Sequence, residues 1–332
     1  MTTTSEARRN AARLVALALV ALASGPLHAQ ANWPNRTIRI IAPVQPGGGV
    51  DLVARTVAEQ LGSSLGQSVV VENQSGGGGI VGSNATARAA PDGYTLMVGY
   101  VGTHGTNPAV RKLPYDAIKD FTPVAMVGGT PNVFVVPPGV PAATLREFVA
   151  YAKANPDKLA YGSAGPGTLT HLAMEQFKVA AGVTDITHLA YRGIGPAFTD
   201  ILGGRTQAML PGLAAALPHI KAGKVKALAV TGTRRHPLLP DVPTFQEQGV
   251  TSKCFQLTGF QSCSVPMGTP PEIVKKISEL LVEAGKSDKV QEMMKTFGVD
   301  EPAMTFEETQ KLYNEEKPIW IELVKGLGLE PT

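Results

Sequence analysis

Residues 37–72 read TIRIIAPVQPGGGVDLVARTVAEQLGSSLGQSVVVE. Residues 37–42 form an apolar run of buried-strand length, and residues 50–65 place Leu52, Val53, Val57 and Leu61 on one helical face. Residues 68–72 are a second strand. Between the first strand and the helix lies Pro43-Val44-Gln45-Pro46-Gly47-Gly48-Gly49-Val50-Asp51. Further on, Gly76 to Gly79 enter a second helix running from about residue 80 to 89, and Pro91-Asp92-Gly93 turns into a strand over 95–99. Three strands separated by helices imply a parallel sheet covered on both faces.

The pattern restarts near Phe121. Strands over 124–128, 133–136, 159–163, 185–189, 208–210 and 225–230, with helices over 145–154 and 169–182, make a second sheet. Residues 255–265 and the amphipathic helices after Pro271 return to the first half. The expected layout is therefore two α/β lobes, residues 32–128 plus 256–332 and residues 129–255. More than one crossing joins them, which makes a hinge.

Compartment follows from the first residues. Arg8, Arg9 and Arg13 precede an apolar stretch over 14–23, and Ala29 and Ala31 offer cleavage sites, so residues 1–31 read as a secretory signal peptide. The Arg8-Arg9 pair raises twin-arginine export, which Asn10 to Arg13 fit poorly. No later stretch reaches the roughly 20 apolar residues of a membrane span. The chain has 332 residues, 17% of them charged, with a net charge of +3. That balance gives no basic patch for nucleic acid, and the length suits two cores rather than one. Cys254 and Cys263 can pair if the chain turns back between them, whereas an extended segment holds the sulfurs too far apart. Neither they nor His188, His219 and His236 show metal-ligand spacing.

One device recurs along the chain, a glycine loop between a strand and a helix start. After the third strand comes Val101-Gly102-Thr103-His104-Gly105-Thr106, and in the second lobe Ser163-Ala164-Gly165-Pro166-Gly167-Thr168 precedes Thr170-His171. Glycine admits close backbone approach, and amides at a helix start bind an anion without a lysine or arginine. Such loops sit at the carboxyl ends of strands, where open α/β sheets bind ligands. Asp51 also reads as a first-turn acid that complements its helix dipole, and Arg192 as either an anion partner or a surface ion pair. A dinucleotide site is the sharpest rival, but Leu52 falls at the third glycine position and Pro46 stiffens the turn. A hydrolase built on Ser163, His104 and His171 lacks a Gly-x-Ser-x-Gly elbow. No cofactor is expected.

The motifs Trp33-Pro34, Pro46-Gly47-Gly48-Gly49-Val50-Asp51, Ala90-Pro91-Asp92-Gly93-Tyr94-Thr95-Leu96, Leu113-Pro114-Tyr115-Asp116, Leu239-Pro240-Asp241-Val242-Pro243-Thr244 and Gly268-Thr269-Pro270 resemble the tripartite tricarboxylate transporter receptor family, the Bug or TctC-like solute-binding proteins. The resemblance spans the mature chain. It implies a two-lobed type II periplasmic-binding-protein fold with a hinge and a central ligand cleft, a monomer that captures a small organic carboxylate and delivers it to a membrane permease. A ligand sensor for a membrane signalling protein is the alternative. By motif position the pocket draws on Gln45, Gly47, Gly48, Gly49, Val50, Asp51, Thr103, His104, Ser163, Ala164, Gly167, Thr168 and His171, with Arg192, Gly193, Pro211 and Gly212 lining it further. Leu210-Pro211-Gly212 stands where the family commonly has Phe-Asp-Asn, and Phe260-Gln261-Ser262 where it has Trp-Phe-Gly. The missing Asp argues against a ligand with an ammonium group, because an unpaired buried cation is costly. An aromatic or dicarboxylic acid fits instead.

Overall fold

Ile38, Ile40, Ile41 and Ala42 have no exposed surface, because their strand runs through the middle of a sheet with helices on both faces. The computed structural model describes residues 33–47, 49–299 and 303–328. The expected signal segment, residues 1–31, and the loop glycine Gly48 lie outside the described residues. From residue 37 onward the described chain forms one compact unit.

In chain order its elements are β1 (Ile38–Ala42), α1 (Gly49–Leu65), β2 (Val69–Asn73), α2 (Ile80–Ala87), β3 (Thr95–Tyr100), α3 (Asn107–Val110), β4 (Phe121–Thr130) and β5 (Val133–Val136). Next come α4 (Leu145–Ala154), β6 (Leu159–Ser163), α5 (Leu169–Ala181), β7 (Ile186–Ala190), α6 (Ile194–Leu202), β8 (Ala208–Met209), α7 (Leu213–Lys221) and β9 (Lys226–Val230). The chain ends with β10 (Gly259–Pro266), α8 (Pro271–Gly285), α9 (Asp288–Phe297) and α10 (Phe306–Gly326).

Two five-stranded sheets result, ordered β2-β1-β3-β10-β4 and β7-β6-β8-β5-β9. Strands β1, β2 and β3 are parallel, as their helical connections require. The first sheet is nevertheless mixed, since β10 runs antiparallel between β3 and β4. This places β4, read from sequence as part of the second sheet, at the edge of the first, where the returning β10 gives it its ladder partner and Met304 adds an isolated bridge to Met126. In the second sheet the two faces of β5 divide by period two. Phe134 and Val136 join the cluster of Phe148, Phe177 and Phe245, while Val133 and Val135 pack with Phe198, Ile201, Leu213 and Leu217.

The sheets are joined where β4 passes through Pro131 and Asn132 into β5, and where residues 256–259 lead into β10. Asn132 pins the first crossing: its amide N–H donates to Thr231 Oγ1 at 2.9 Å and its Nδ2 to the Leu210 carbonyl at 2.9 Å. Beside the crossings one apolar cluster runs through both halves, including Val110, Phe260, Tyr313 and Trp320 with Phe134 and Leu172. Helix α10 thus braces the junction from one side.

Candidate functional site

The first rim lies at the carboxyl edge of β1, β2 and β3, and its loops are knitted together. Asp51 is buried at the start of α1, where Oδ2 accepts from the Gly47 amide at 2.9 Å and from Arg55 Nε at 3.0 Å. Its Oδ1 accepts from Asn73 Nδ2 at 2.8 Å. Burial opposes the charge, but the Arg55, Gly47 and Asn73 hydrogen bonds outweigh it and hold the carboxyl below its ordinary pKa. Gln45 Nε2 donates to Ser75 Oγ at 2.6 Å, tying the first loop to the second. Gly79, with φ +97°, lets the third loop in; a Cβ there would lie 2.7 Å from Thr103 Cγ2. Thr103 Oγ1 donates to the Tyr100 carbonyl at 2.8 Å and accepts from the Tyr100 amide at 3.0 Å. Tyr100 Oη in turn donates to the Gly78 carbonyl at 2.9 Å.

The second rim is built around Ser163 at the end of β6. Ser163 Oγ accepts from the Gly165 amide at 3.1 Å and lies 2.7 Å from His188 Nε2. The Ala164 amide donates to Thr170 Oγ1 at 2.9 Å, and the Gly167 amide to His171 Nδ1 at 3.1 Å. Thr168 Oγ1 donates to the Gly165 carbonyl at 2.7 Å. His188 is sandwiched between Tyr161 and His171, with ring centroids 4.8 Å and 4.3 Å away. Burial, reinforced by the facing His171, lowers the His188 pKa to about 4, and burial lowers that of His171 as well. Below them Tyr161 Oη donates to Glu175 Oε1 at 2.5 Å and Lys178 Nζ approaches the same oxygen at 3.0 Å. These bonds outweigh desolvation and keep Glu175 ionised.

The two rims meet. Arg111, just past α3, donates from Nη2 to the Pro166 carbonyl at 2.7 Å. A Cβ on Gly167 would lie 2.8 Å from Val110 Cγ2, and one on Gly259 3.7 Å from Leu169 Cδ2. Helix starts along these edges carry no side-chain cap: α2 begins after Gly79, α5 after Thr168, α6 after Gly193 and α7 after Gly212. Elsewhere Thr144, Ser287 and Thr305 cap α4, α9 and α10, and Pro271 opens α8 without a donor to satisfy. The uncapped ends after β6, β7 and β8 are neighbours on one sheet edge. Arg192 beside Gly193 is exposed with no ion pair among the described residues, and a Cβ on Gly193 or Gly195 would meet open space. Pro211 holds the β5 start, its carbonyl accepting from the Val133 amide at 2.9 Å. A cavity of about 200 Å³ lies against the crossings, lined by Met126, Pro131, Thr231, Arg234, Thr258 and Glu316, and another of about 220 Å³ lies between the segment around His236 and that from Gln291 to Val299. None of the candidate pocket residues between Gln45 and Gly212 lines either one.

Several expectations change. His104 is not at the rim surface: it sits in a π-helical turn with its ring against Gly99, Phe121 and Tyr313, inside the first half. Asp51 organises its loop and has its oxygens committed to Gly47, Arg55 and Asn73. His188, dismissed from sequence as a metal ligand, lies at the centre of the second rim because β6 and β7 pair in parallel with Tyr161 opposite His188. Ser163 and His188 form a hydrogen-bonded pair, but Ser163 is fully buried and holds the loop. Both cysteines are free and buried, Cys254 in a helical turn and Cys263 in extended β10. Gly49 and Val50 begin α1, half-buried or exposed, at the first rim. Arg111 and His188 were not singled out from sequence as site residues, because each enters the site through tertiary pairing alone.

A fold of two mixed α/β sheets with facing glycine-rich rims is that of a periplasmic binding protein, a class that captures ligands and does not transform them. The tripartite tricarboxylate transporter family receptor model matches residues 53–329, and the chain belongs to that family. It is 33% identical to the protein BugT of Bordetella pertussis over 328 residues, 96% of this chain and 98% of BugT. Among solved structures, an R. palustris protein with adipate shares 32% identity at a TM-score of 0.85, covering 91% of this chain and 100% of that one. MatC from Rhodopseudomonas palustris with bound malate shares 32% identity at a TM-score of 0.79, covering 88% and 100%. The chain is accordingly a solute-binding receptor and not an enzyme. No helix among the described residues is long and apolar enough to cross a membrane.

Proposed function

We propose that this receptor is exported to the periplasm, captures a small organic acid without a cationic group, and delivers it as a monomer to a tripartite tricarboxylate-type permease. The observation that carries the ligand class is the pair of touching rims, in which helix starts left uncapped by side chains gather along one sheet edge. Uncapped amides at the positive end of a helix dipole favour an anion. The loop amides of Gly47, Ala164, Gly165 and Gly167 are held by the protein's own side chains and fix the loops' shape, and the first amide of α7, Leu213, donates to the Pro131 carbonyl at 2.8 Å, which leaves the helix starts after Thr168 and Gly193, with Arg192, as donors. No carboxylate stands at Leu210-Pro211-Gly212 to balance a ligand ammonium. The proteins with adipate and malate support the same class.

The lobes of this reading are residues 32–128 plus 256–332 and residues 129–255, closing about the crossings at Asn132 and residues 256–259, with the ligand's affinity for the closed arrangement driving closure. Isothermal titration of the mature protein against mono- and dicarboxylates and against amino acids tests it. Tight binding of carboxylates with no turnover is expected, and exclusive binding of amino acids would overturn the reading. Copurification with permease subunits is expected as well; capture instead of a signalling receptor's outer domain would replace the delivery role.

A further inference from the structure

Gln261 sits on β10 beside the second crossing. Its neighbours Phe260 and Ser262 face α10, where both meet Tyr313, so the Gln261 side chain leaves the sheet on the opposite face. That face carries the start of α1: Gln261 Nε2 lies 3.9 Å from the point a Cβ on Gly49 would occupy, and Oε1 lies 3.8 Å from the same point on Gly128. The residue is only 8% exposed, and its Oε1 is buried without a hydrogen-bond partner. The ladder also slips here. Gln261 pairs with Gly128 and Ser262 with Met126, leaving Val127 as the extra residue of a bulge. Bulges re-aim side chains beside functional sites, and a buried amide oxygen without a donor is destabilising unless something supplies one.

Resting on the carboxylate reading above, we propose that Gln261 reads a hydroxyl group adjacent to the ligand's carboxylate. Its Oε1 accepts from the hydroxyl while Nε2 donates to a carboxylate oxygen held at the α1 start. The two ends of one primary amide match the donor and acceptor of a 2-hydroxy acid. The preferred class is therefore 2-hydroxy carboxylic acids over their deoxy counterparts.

The test is calorimetry on the mature protein with two matched pairs, malate against succinate and 2-hydroxyadipate against adipate. In wild type, the hydroxy member of at least one pair should bind about tenfold more tightly, equivalent to 1.4 kcal/mol. Gln261→Leu should reduce that ratio to under threefold, mainly by weakening the hydroxy ligand, while the ligand-free melting temperature stays level or rises. Gln261→Asn, which keeps an amide but draws it back from the α1 start, should likewise shrink the ratio and serves if the leucine variant fails to fold. Equal binding within both pairs by wild type, or an undiminished preference in the variants, overturns the inference while leaving carboxylate capture standing. Absence of binding to all four acids overturns the inference, and carboxylate capture falls with it only if the wider titration finds amino acids alone bound.

Discussion

His104 provides a quantitative test of how the first rim is built. Its ring is 5% exposed, its Nδ1 lies 2.9 Å from Thr103 Oγ1, and its Nε2 is buried without a partner. Phe121 meets it edge-on at 5.2 Å and Tyr313 lies 5.3 Å away. Burial alone lowers its pKa to about 4. An unfolded histidine titrates near 6.5, so below that pH the unfolded chain takes up a proton that the folded chain refuses until about pH 4. Stability should therefore fall as pH drops through this window, at up to about 1.4 kcal/mol per pH unit, for a total of about 3 kcal/mol from this one group. Urea denaturation of wild type and His104→Leu at a series of pH values between 7 and 4.5 isolates the effect, because His171, His188 and the carboxylates titrate in both proteins. The variant should be less stable at neutral pH by about 1–2 kcal/mol of lost packing, yet show the flatter pH profile. Parallel profiles would refute the buried, neutral imidazole. Loss of all ligand binding in a variant that still folds would instead show that the ring touches ligand.

Further outcomes follow from neighbouring contacts. Arg111→Ala removes the exposed hydrogen bond to Pro166 that links the two rims, worth about 1 kcal/mol, so affinity should weaken about fivefold by calorimetry with the ligand-free melting temperature unchanged; unchanged affinity would separate the contact from closure. Asp51→Ala strands the Gly47 amide, Arg55 and Asn73, and should destabilise the protein by about 2 kcal/mol in denaturant titration as well as loosening the first loop. A neutral effect would show the loop shaped by its backbone. Cys254 and Cys263 are buried thiols raised by burial to about 11 and about 12, so Ellman's reagent at pH 8 should find both unreactive in the native protein and two thiols after denaturation.

What the sequence disclosed was local. The apolar run at β1, the helical face of α1 and the glycine loops between them are short-range patterns, and the structure keeps all three because neighbouring elements want the same thing. What it concealed was pairing at long range. Nothing within residues 121–130 says that β4 will find its partner in β10, more than a hundred positions later and antiparallel. The same limit hid the second rim's centre: His171 and His188 stack only because β6 and β7 align in parallel register. His104 misled for a related reason. A histidine in a glycine loop looks available, but the π-helical turn rotates it inward against α10, an element at the far end of the chain.

The glycine loops themselves change meaning once their hydrogen bonds are traced. Each rim uses short polar side chains to fasten its own loop amides: Asp51 in the first, and Ser163, Thr170 and His171 in the second. Glycine is needed there for close approach between loops, as the 2.7 Å clash of a Gly79 Cβ with Thr103 shows, as much as for approach to a ligand. On the proposed reading, an anion entering between the rims would meet preset helix starts rather than a flexible net, and little ordering entropy would oppose its binding. Helix starts recognise charge but not the rest of the molecule. Discrimination among acids must then come from side chains placed beside them with bonding capacity left over. Gln261, on β10 beside the start of α1, is a buried side chain whose amide oxygen is still without a partner.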